Sequence, residues 1–119
     1  MDLAKHLKRI ESAGAGEFLL NSVDRDGSRK GYDLTLLKQV SSAVKVPVIA
    51  LGGVGRFEHL AQAITTGGCQ AVAAANIFQH VEHSTIAAKA QMLEAGLSVR
   101  LSSEVKYKNF SLDILGRPF

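Results

Sequence analysis

Two stretches of this chain carry residue types whose spacing suits chemistry. The first is Gly52-Gly53-Val54-Gly55, which follows the apolar run Pro47-Val48-Ile49-Ala50-Leu51 and precedes Arg56-Phe57-Glu58-His59. Glycine lets the backbone turn through positive φ and lets a ligand approach the main chain closely. Phe57, Leu60, Ala61 and Ile64 then recur at helical spacing, so the segment reads strand, glycine turn, helix. Backbone N–H groups at a helix start, together with the helix dipole, suit an anion such as phosphate. A turn that only redirects the chain is the other reading of the same glycines. The stretch is not a Walker loop, because no Gly-Lys-Ser/Thr follows. Nor is it a dinucleotide fingerprint, because no acidic residue lies about 20 positions on to hold a ribose.

The second stretch is Asp24-Arg25-Asp26-Gly27, inside the polar loop from Val23 to Asp33. Two carboxylates beside a glycine can orient a sugar hydroxyl or transfer a proton. They can equally hydrogen-bond the turn backbone and pair with Arg25 or Arg29. A calcium loop is excluded, since no further oxygen ligands at EF-hand spacing and no terminal Glu follow. His80 and His83 have a separation usable for metal on a helix, but they precede a helix cap and no carboxylate cluster supports them. They read as surface histidines, and His6 reads as a rim residue of the first helix. Nothing in the sequence implies a metal or a cofactor.

The elements that must position these residues follow from periodicity. Asp2 to Ala13 carries Leu3, Leu7 and Ile10 at helical spacing, with Asp2 as N-cap and Gly14 as stop. It begins almost at Met1, so no strand is expected before it. Glu17 to Ser22 is a short apolar strand entered through Gly14-Ala15-Gly16, and Leu34 to Val44 is an amphipathic helix capped by Asp33. The Pro47 strand and its helix, ending at Gly67-Gly68, come next. Ala71 to Ala75 is a third strand of small residues that stops at Asn76-Ile77-Phe78, before a helix from Thr85 to Ala95 capped by Ser84 and stopped by Gly96. The glycines before the first and third strands, and an Asn after each, hint at an internal repeat. Repeated βα units of this kind imply a parallel sheet with right-handed crossovers. Past Gly96 the pattern changes. Val99 to Leu101 and Val105 to Leu112 look extended, with a bulge near Lys108 to absorb a shift in alternation.

With 119 residues and 46% hydrophobic content, the chain suits one small globular domain. A formal charge of +3 fits anionic small molecules or an acidic partner face and is far from a nucleic-acid signature. Trp is absent and aromatics are 6%, which argues against base-stacking platforms. The single cysteine, Cys69, permits no intrachain disulfide and fits a reducing compartment, so a cytoplasmic location is expected. No apolar run approaches the length of a membrane span, and the N-terminal segment reads as an amphipathic helix without a signal-peptide core.

Gly14-Ala15-Gly16-Glu17, Ser22-Val23-Asp24-Arg25-Asp26-Gly27, Gly31-Tyr32-Asp33 and Gly52-Gly53, in that order, resemble the cyclase subunit of imidazole glycerol phosphate synthase, HisF. Ala74-Ala75-Asn76-Ile77-Phe78 and Val99-Arg100-Leu101 continue the likeness, which covers roughly residues 2 to 101. That family has a (β/α)8 TIM barrel, typically of about 250 residues. The resemblance therefore implies an α/β half-barrel over residues 1–101, made of three parallel βα units preceded by a helix, with a C-terminal extended tail over 102–119. The tail, with Tyr107, Phe110 and Gly116-Arg117, looks more like HisF variants of surface-sugar biosynthesis than the histidine-pathway enzyme.

The family closes its barrel around a substrate with a phosphate at each end. Carried onto this sequence, that implies Asp26, Gly27, Gly52, Gly53, Ala75 and Asn76 around one phosphate; Asp24 and Asp26 remain catalytic candidates on the chemistry of their paired carboxylates alone. Three positions depart from the family pattern: Leu51 replaces a small polar residue, Asn76 a Ser and Asn21 a Thr. An Asn still donates to phosphate; a Leu does not. The family's two principal catalytic aspartates lie on strands that this sequence does not contain, so the resemblance implies an incomplete active site. The implied partners are a phosphorylated small molecule or inorganic phosphate, a second copy of the chain, and a glutaminase subunit. The second copy is expected because three strands with helices on one side leave two open edges and one uncovered apolar face. Leu20, Ile49, Leu51 and Val72 are expected to supply that face, whichever alternate set points inward.

Overall fold

A computed structural model describes residues 2–79 and 85–102 of the chain. Helix α1 (Leu3–Ser12) starts where Asp2 accepts the N–H groups of Ala4 and Lys5 at 3.1 and 3.4 Å. A cap of this type stabilises a helix by about 1 kcal/mol. Strand β1 (Phe18–Asn21) is joined through the polar loop to α2 (Leu34–Ala43), whose N-cap Asp33 accepts from Leu36 N–H at 3.0 Å. Strand β2 (Val48–Leu51), helix α3 (Glu58–Thr65), strand β3 (Ala71–Val72), a 3-10 turn (Asn76–Gln79) and helix α4 (Thr85–Glu94) complete the order.

The three strands form one parallel sheet in the order β1-β2-β3. In register, Phe18 pairs with Val48 and Leu20 with Ala50, while Ala50 pairs with Val72. The chain is an α/β half of a TIM barrel: three βα units in sequence order behind a leading helix. Side chains alternate along a strand, and one set is buried. Val48 and Ala50 lie in a core with Leu7, Leu37, Val40, Leu60, Ala63, Ala87 and Met92, against which Phe18, Leu20 and Val72 are packed. Two polar side chains fasten β2 at its start. Glu11 Oε1 accepts from Lys45 N–H and Val46 N–H at 2.6 and 3.0 Å, and Gln70 Oε1 accepts from Val48 N–H at 2.8 Å.

The opposite sheet face differs from the expectation. Leu19, Ile49, Leu51 and Ala71 form it, and Leu19 is 60% exposed. Leu20 and Val72 belong instead to the helix-covered side. Parallel pairing puts Leu20, Ala50 and Val72 in one row, so they share a face. The third strand is also shorter than Ala71 to Ala75. Ala73 N–H still donates to Ala50 O at 2.7 Å, but the Ala73 carbonyl is taken by the Tyr32 hydroxyl, also at 2.7 Å, and the ladder ends there.

Among the described residues no helix is long and apolar enough to cross a membrane. The expectations for His80, His83, Ser84, the Val105–Leu112 segment and the bulge near Lys108 lie outside the described residues, as does the tail beyond Ser102.

Candidate functional site

Three loops leave the C-terminal ends of the strands, and in parallel α/β sheets that is where ligands bind. The loop after β1 is held compact by its own backbone. Arg25 N–H and Asp26 N–H both donate to Ser22 O, at 3.1 and 2.9 Å, and Ser28 N–H donates to Arg25 O at 2.9 Å. The loop after β2 begins with Gly52 and Gly53 at φ +97° and +107°, a region closed to most side chains. Space excludes them too. A Cβ on Gly52 would stand 2.7 Å from Asn21 Oδ1, and one on Gly53 would collide with the Gly31 carbonyl.

Cross-loop bonds fix the arrangement. Gly31 N–H donates to Gly53 O at 2.7 Å, which binds the first loop to the second. The Tyr32 hydroxyl on Ala73 O binds the first to the third. The Phe57 and Phe78 rings, 6.3 Å apart, pack the second loop against the 3-10 turn. Burial, and secondarily Cys69, pushes the Tyr32 phenol far above its ordinary value, so it stays a neutral donor.

Between the loops lies a recess of about 130 Å³. Asp26 and Gly27 line it from the first loop, Leu51, Gly52, Gly53 and Val54 from the second, and Ala74, Ala75 and Asn76 from the third. All six residues implied for phosphate contact thus face one space. Asp24 does not line it and stands exposed; the structure separates the two loop carboxylates. Among the described residues, no acceptor takes the N–H groups of Gly53, Ala75 or Asn76. Pockets for drug-sized ligands run to about 300–1,000 Å³, so this recess matches a small group or one end of a longer molecule. It offers neutral main-chain donors, the Asn76 amide and one carboxylate between apolar walls. Among the described residues no Lys or Arg lines it.

Sequence reasoning missed His59. The side chain is buried, and its Nδ1 accepts from Gly55 N–H at 3.1 Å and from Arg56 N–H at 3.3 Å. Burial first and Arg56 second lower its pKa below the ordinary histidine value, partly opposed by Glu58. The signal was present: a polar side chain in a first helical turn reaches back to the N–H groups just before it, the logic of a capping box. It also means that the Gly55 and Arg56 amides, which lie just before the helix, are already satisfied. Cys69 is a buried thiol that donates to Ala63 O at 3.1 Å, and burial raises its pKa. It stands apart from the recess. Among the described residues no cluster of His, Cys, Asp and Glu is able to hold a metal ion.

Residues 1–84 match the family model described as histidine biosynthesis protein. The chain belongs to the histidine biosynthesis protein family. Among curated relatives, it is 67% identical over all 119 residues to a protein of Vibrio vulnificus (strain YJ016) described as putative imidazole glycerol phosphate synthase subunit hisF2. The match covers 44% of that relative, so the chain spans less than half its length. Among solved structures, 84% of the chain aligns with 44% of a chain from the Amycolatopsis orientalis BexX/CysO complex, at a TM-score of 0.49 and 19% identity. That likeness is too slight to carry an argument. The histidine-biosynthesis membership accords with the HisF resemblance of the loop motifs, and those motifs are the ones that gather at the recess.

Proposed function

We propose that this chain is the phosphate-binding half of a HisF-type barrel, holding one phosphate of a phosphorylated small molecule and lacking complete chemistry alone. One observation carries the reading. Residues from three separate loops converge on one recess, and the N–H groups of Gly53, Ala75 and Asn76 there have no acceptor among the described residues. Unpaired backbone donors are costly unless water or a ligand satisfies them. Oriented N–H groups bind phosphate without a cationic side chain, as in other backbone nests. Asp26 stands at the edge of this cradle, where a carboxylate can take a proton from a bound substrate. Cyclisation requires an acid and a base that converge, and Asp24 lies away from the recess.

Inorganic phosphate titrated into the ¹⁵N-labelled chain tests this reading. Saturable amide shifts at Gly27, Gly53 and Asn76, with a dissociation constant near or below about 1 mM, are expected. Unmoved amides at all three positions would remove the cradle.

The open sheet face supports a second reading, in which a partner completes the enzyme. Leu19 is largely exposed on the sheet face it shares with Ile49 and Leu51, and an apolar surface of this kind is suited to burial against another chain. A second copy, or a chain supplying the remaining strands, would cover it and bring the opposing catalytic group. The assembled cyclase would then act with a glutaminase subunit in histidine or surface-sugar biosynthesis. An assay with the family's ribonucleotide substrate and ammonium separates the two: turnover that disappears in Asp26→Asn favours the completed enzyme, and no turnover favours the binding half. A purely structural module would respond to neither phosphate nor substrate.

A further inference from the structure

The glycine turn needs more than glycines to hold its shape. Gly53 and Val54 line the recess, yet the next two residues, Gly55 and Arg56, turn their N–H groups away from any ligand and onto one imidazole nitrogen, His59 Nδ1. The same ring packs against Gly31, where an added Cβ would lie 3.3 Å from both Cδ2 and Nε2. Gly31 in turn donates to the Gly53 carbonyl. One buried side chain on α3 therefore braces two of the three loops that frame the recess.

We propose that His59 is a positioning residue for the phosphate recess, acting as a neutral imidazole whose Nδ1 clamps the Gly52–Arg56 turn. This rests on the phosphate reading above. A nitrogen that accepts two hydrogen bonds carries no proton, which fixes the tautomer with hydrogen on Nε2. Protonation would place an N–H on Nδ1 facing two other N–H groups, and the clamp would open. The charges that face the ring are Arg56 and Glu58, both from its own turn. The ionisable residues of the loop packed against it are Arg29, whose carbonyl and Cβ pack on Gly55, and Lys30, Tyr32 and Asp33, which flank Gly31 in sequence. The Tyr32 hydroxyl is committed to Ala73 O and the Asp33 carboxylate to Leu36 N–H.

The clamp makes anion binding fall on acidification, the reverse of the general trend. Acidification makes any protein more positive, which strengthens nonspecific anion attraction, so a loss of affinity has the sign that the clamp alone produces. Sulfate is the suitable probe because it stays a dianion across the range.

The experiment is ¹⁵N–¹H NMR of the chain with sulfate titrations from pH 7.5 to pH values below the His59 midpoint. Long-range ring correlations report the tautomer. The expected results are an unprotonated Nδ1, a His59 midpoint below the ordinary histidine value, and sulfate affinity that falls about tenfold through that midpoint, the equivalent of roughly one net hydrogen bond. His59→Phe should show the same about tenfold loss at neutral pH. His59→Asn, whose amide oxygen can replace Nδ1, should restore binding and lose the acid sensitivity. Sulfate affinity that stays constant or rises through the His59 midpoint in the unmodified chain overturns the proposal, whether or not the variants fold. So does a His59→Phe variant that is folded and binds as tightly as the parent. No sulfate response at any pH overturns the phosphate reading and this proposal with it, and the ring tautomer would still report whether the clamp exists.

Discussion

Gly53→Ala is the substitution with the most legible consequences. At φ +107° an alanine is strained, a penalty of about 1–3 kcal/mol. The new Cβ would meet the Gly31 carbonyl and lie 3.0 Å from Arg25 Cβ. Gly31 must move, and the Gly31 N–H bond to Gly53 O goes with it, adding about 1 kcal/mol. The sum, about 2–4 kcal/mol, is a large share of a small domain's total stability of about 5–15 kcal/mol. At about 4 °C per kcal/mol for a chain of this size, the midpoint of thermal unfolding should fall by about 8–16 °C. Phosphate binding should be lost even at temperatures where the variant is folded. Gly16→Ala is the control: it has no atom within 4 Å of an added Cβ and no positive φ, so it should be neutral or slightly stabilising. Calorimetry of the parent and both variants is the assay. A Gly53→Ala chain that melts within about 2 °C of the parent and still binds phosphate would refute the close-approach argument.

Three further outcomes are expected. Tyr32→Phe removes the hydroxyl bond to Ala73 O and should destabilise by about 1 kcal/mol, with amide shifts concentrated at Ala73 to Asn76; shifts confined to the Tyr32 loop would show that the cross-loop tie is idle. His59 has a depressed pKa in the folded chain, so its stabilisation is complete above the ordinary histidine value and declines as pH falls from there toward the folded value, where the unfolded chain binds the proton first. Thermal midpoints of the parent should therefore drop faster with acidification than those of His59→Asn, and parallel curves would contradict the linkage. Leu19→Asp, on the open sheet face, should leave the thermal midpoint within about 2 °C yet abolish the self-association proposed for this chain, read by light scattering; an unmodified chain that is monodisperse and monomeric at micromolar concentration would sink the oligomer itself.

Local signals in the sequence translated into structure where the cause is local. Asp2 and Asp33 cap their helices as their positions imply, and the apolar run before Gly52 is a strand. Apolar periodicity alone did not decide which face each strand residue takes, because β1 and β2 are nearly continuous apolar runs. The row of Leu20, Ala50 and Val72 is set by pairing between strands, which no single segment encodes. The early end of β3 has an equally distant cause, a Tyr32 hydroxyl 41 positions earlier in the chain. At the site, six of the nine described lining residues were legible through the family resemblance of three separated motifs. His59 was not, because its importance lies in which backbone groups it satisfies. A histidine in a first helical turn is ordinary until Gly55 and Arg56 are seen to donate to it.

The central claim is that the Gly27, Gly53 and Asn76 loops form one anion cradle, and titration of the ¹⁵N-labelled chain with inorganic phosphate tests it most directly. These three amides are expected to shift together along one saturating curve, while Gly55 and Arg56, already bonded to His59, move least among the loop amides. Phosphate that leaves Gly27, Gly53 and Asn76 in place, or shifts only the exposed α1 face around Lys5, His6 and Arg9, would contradict it.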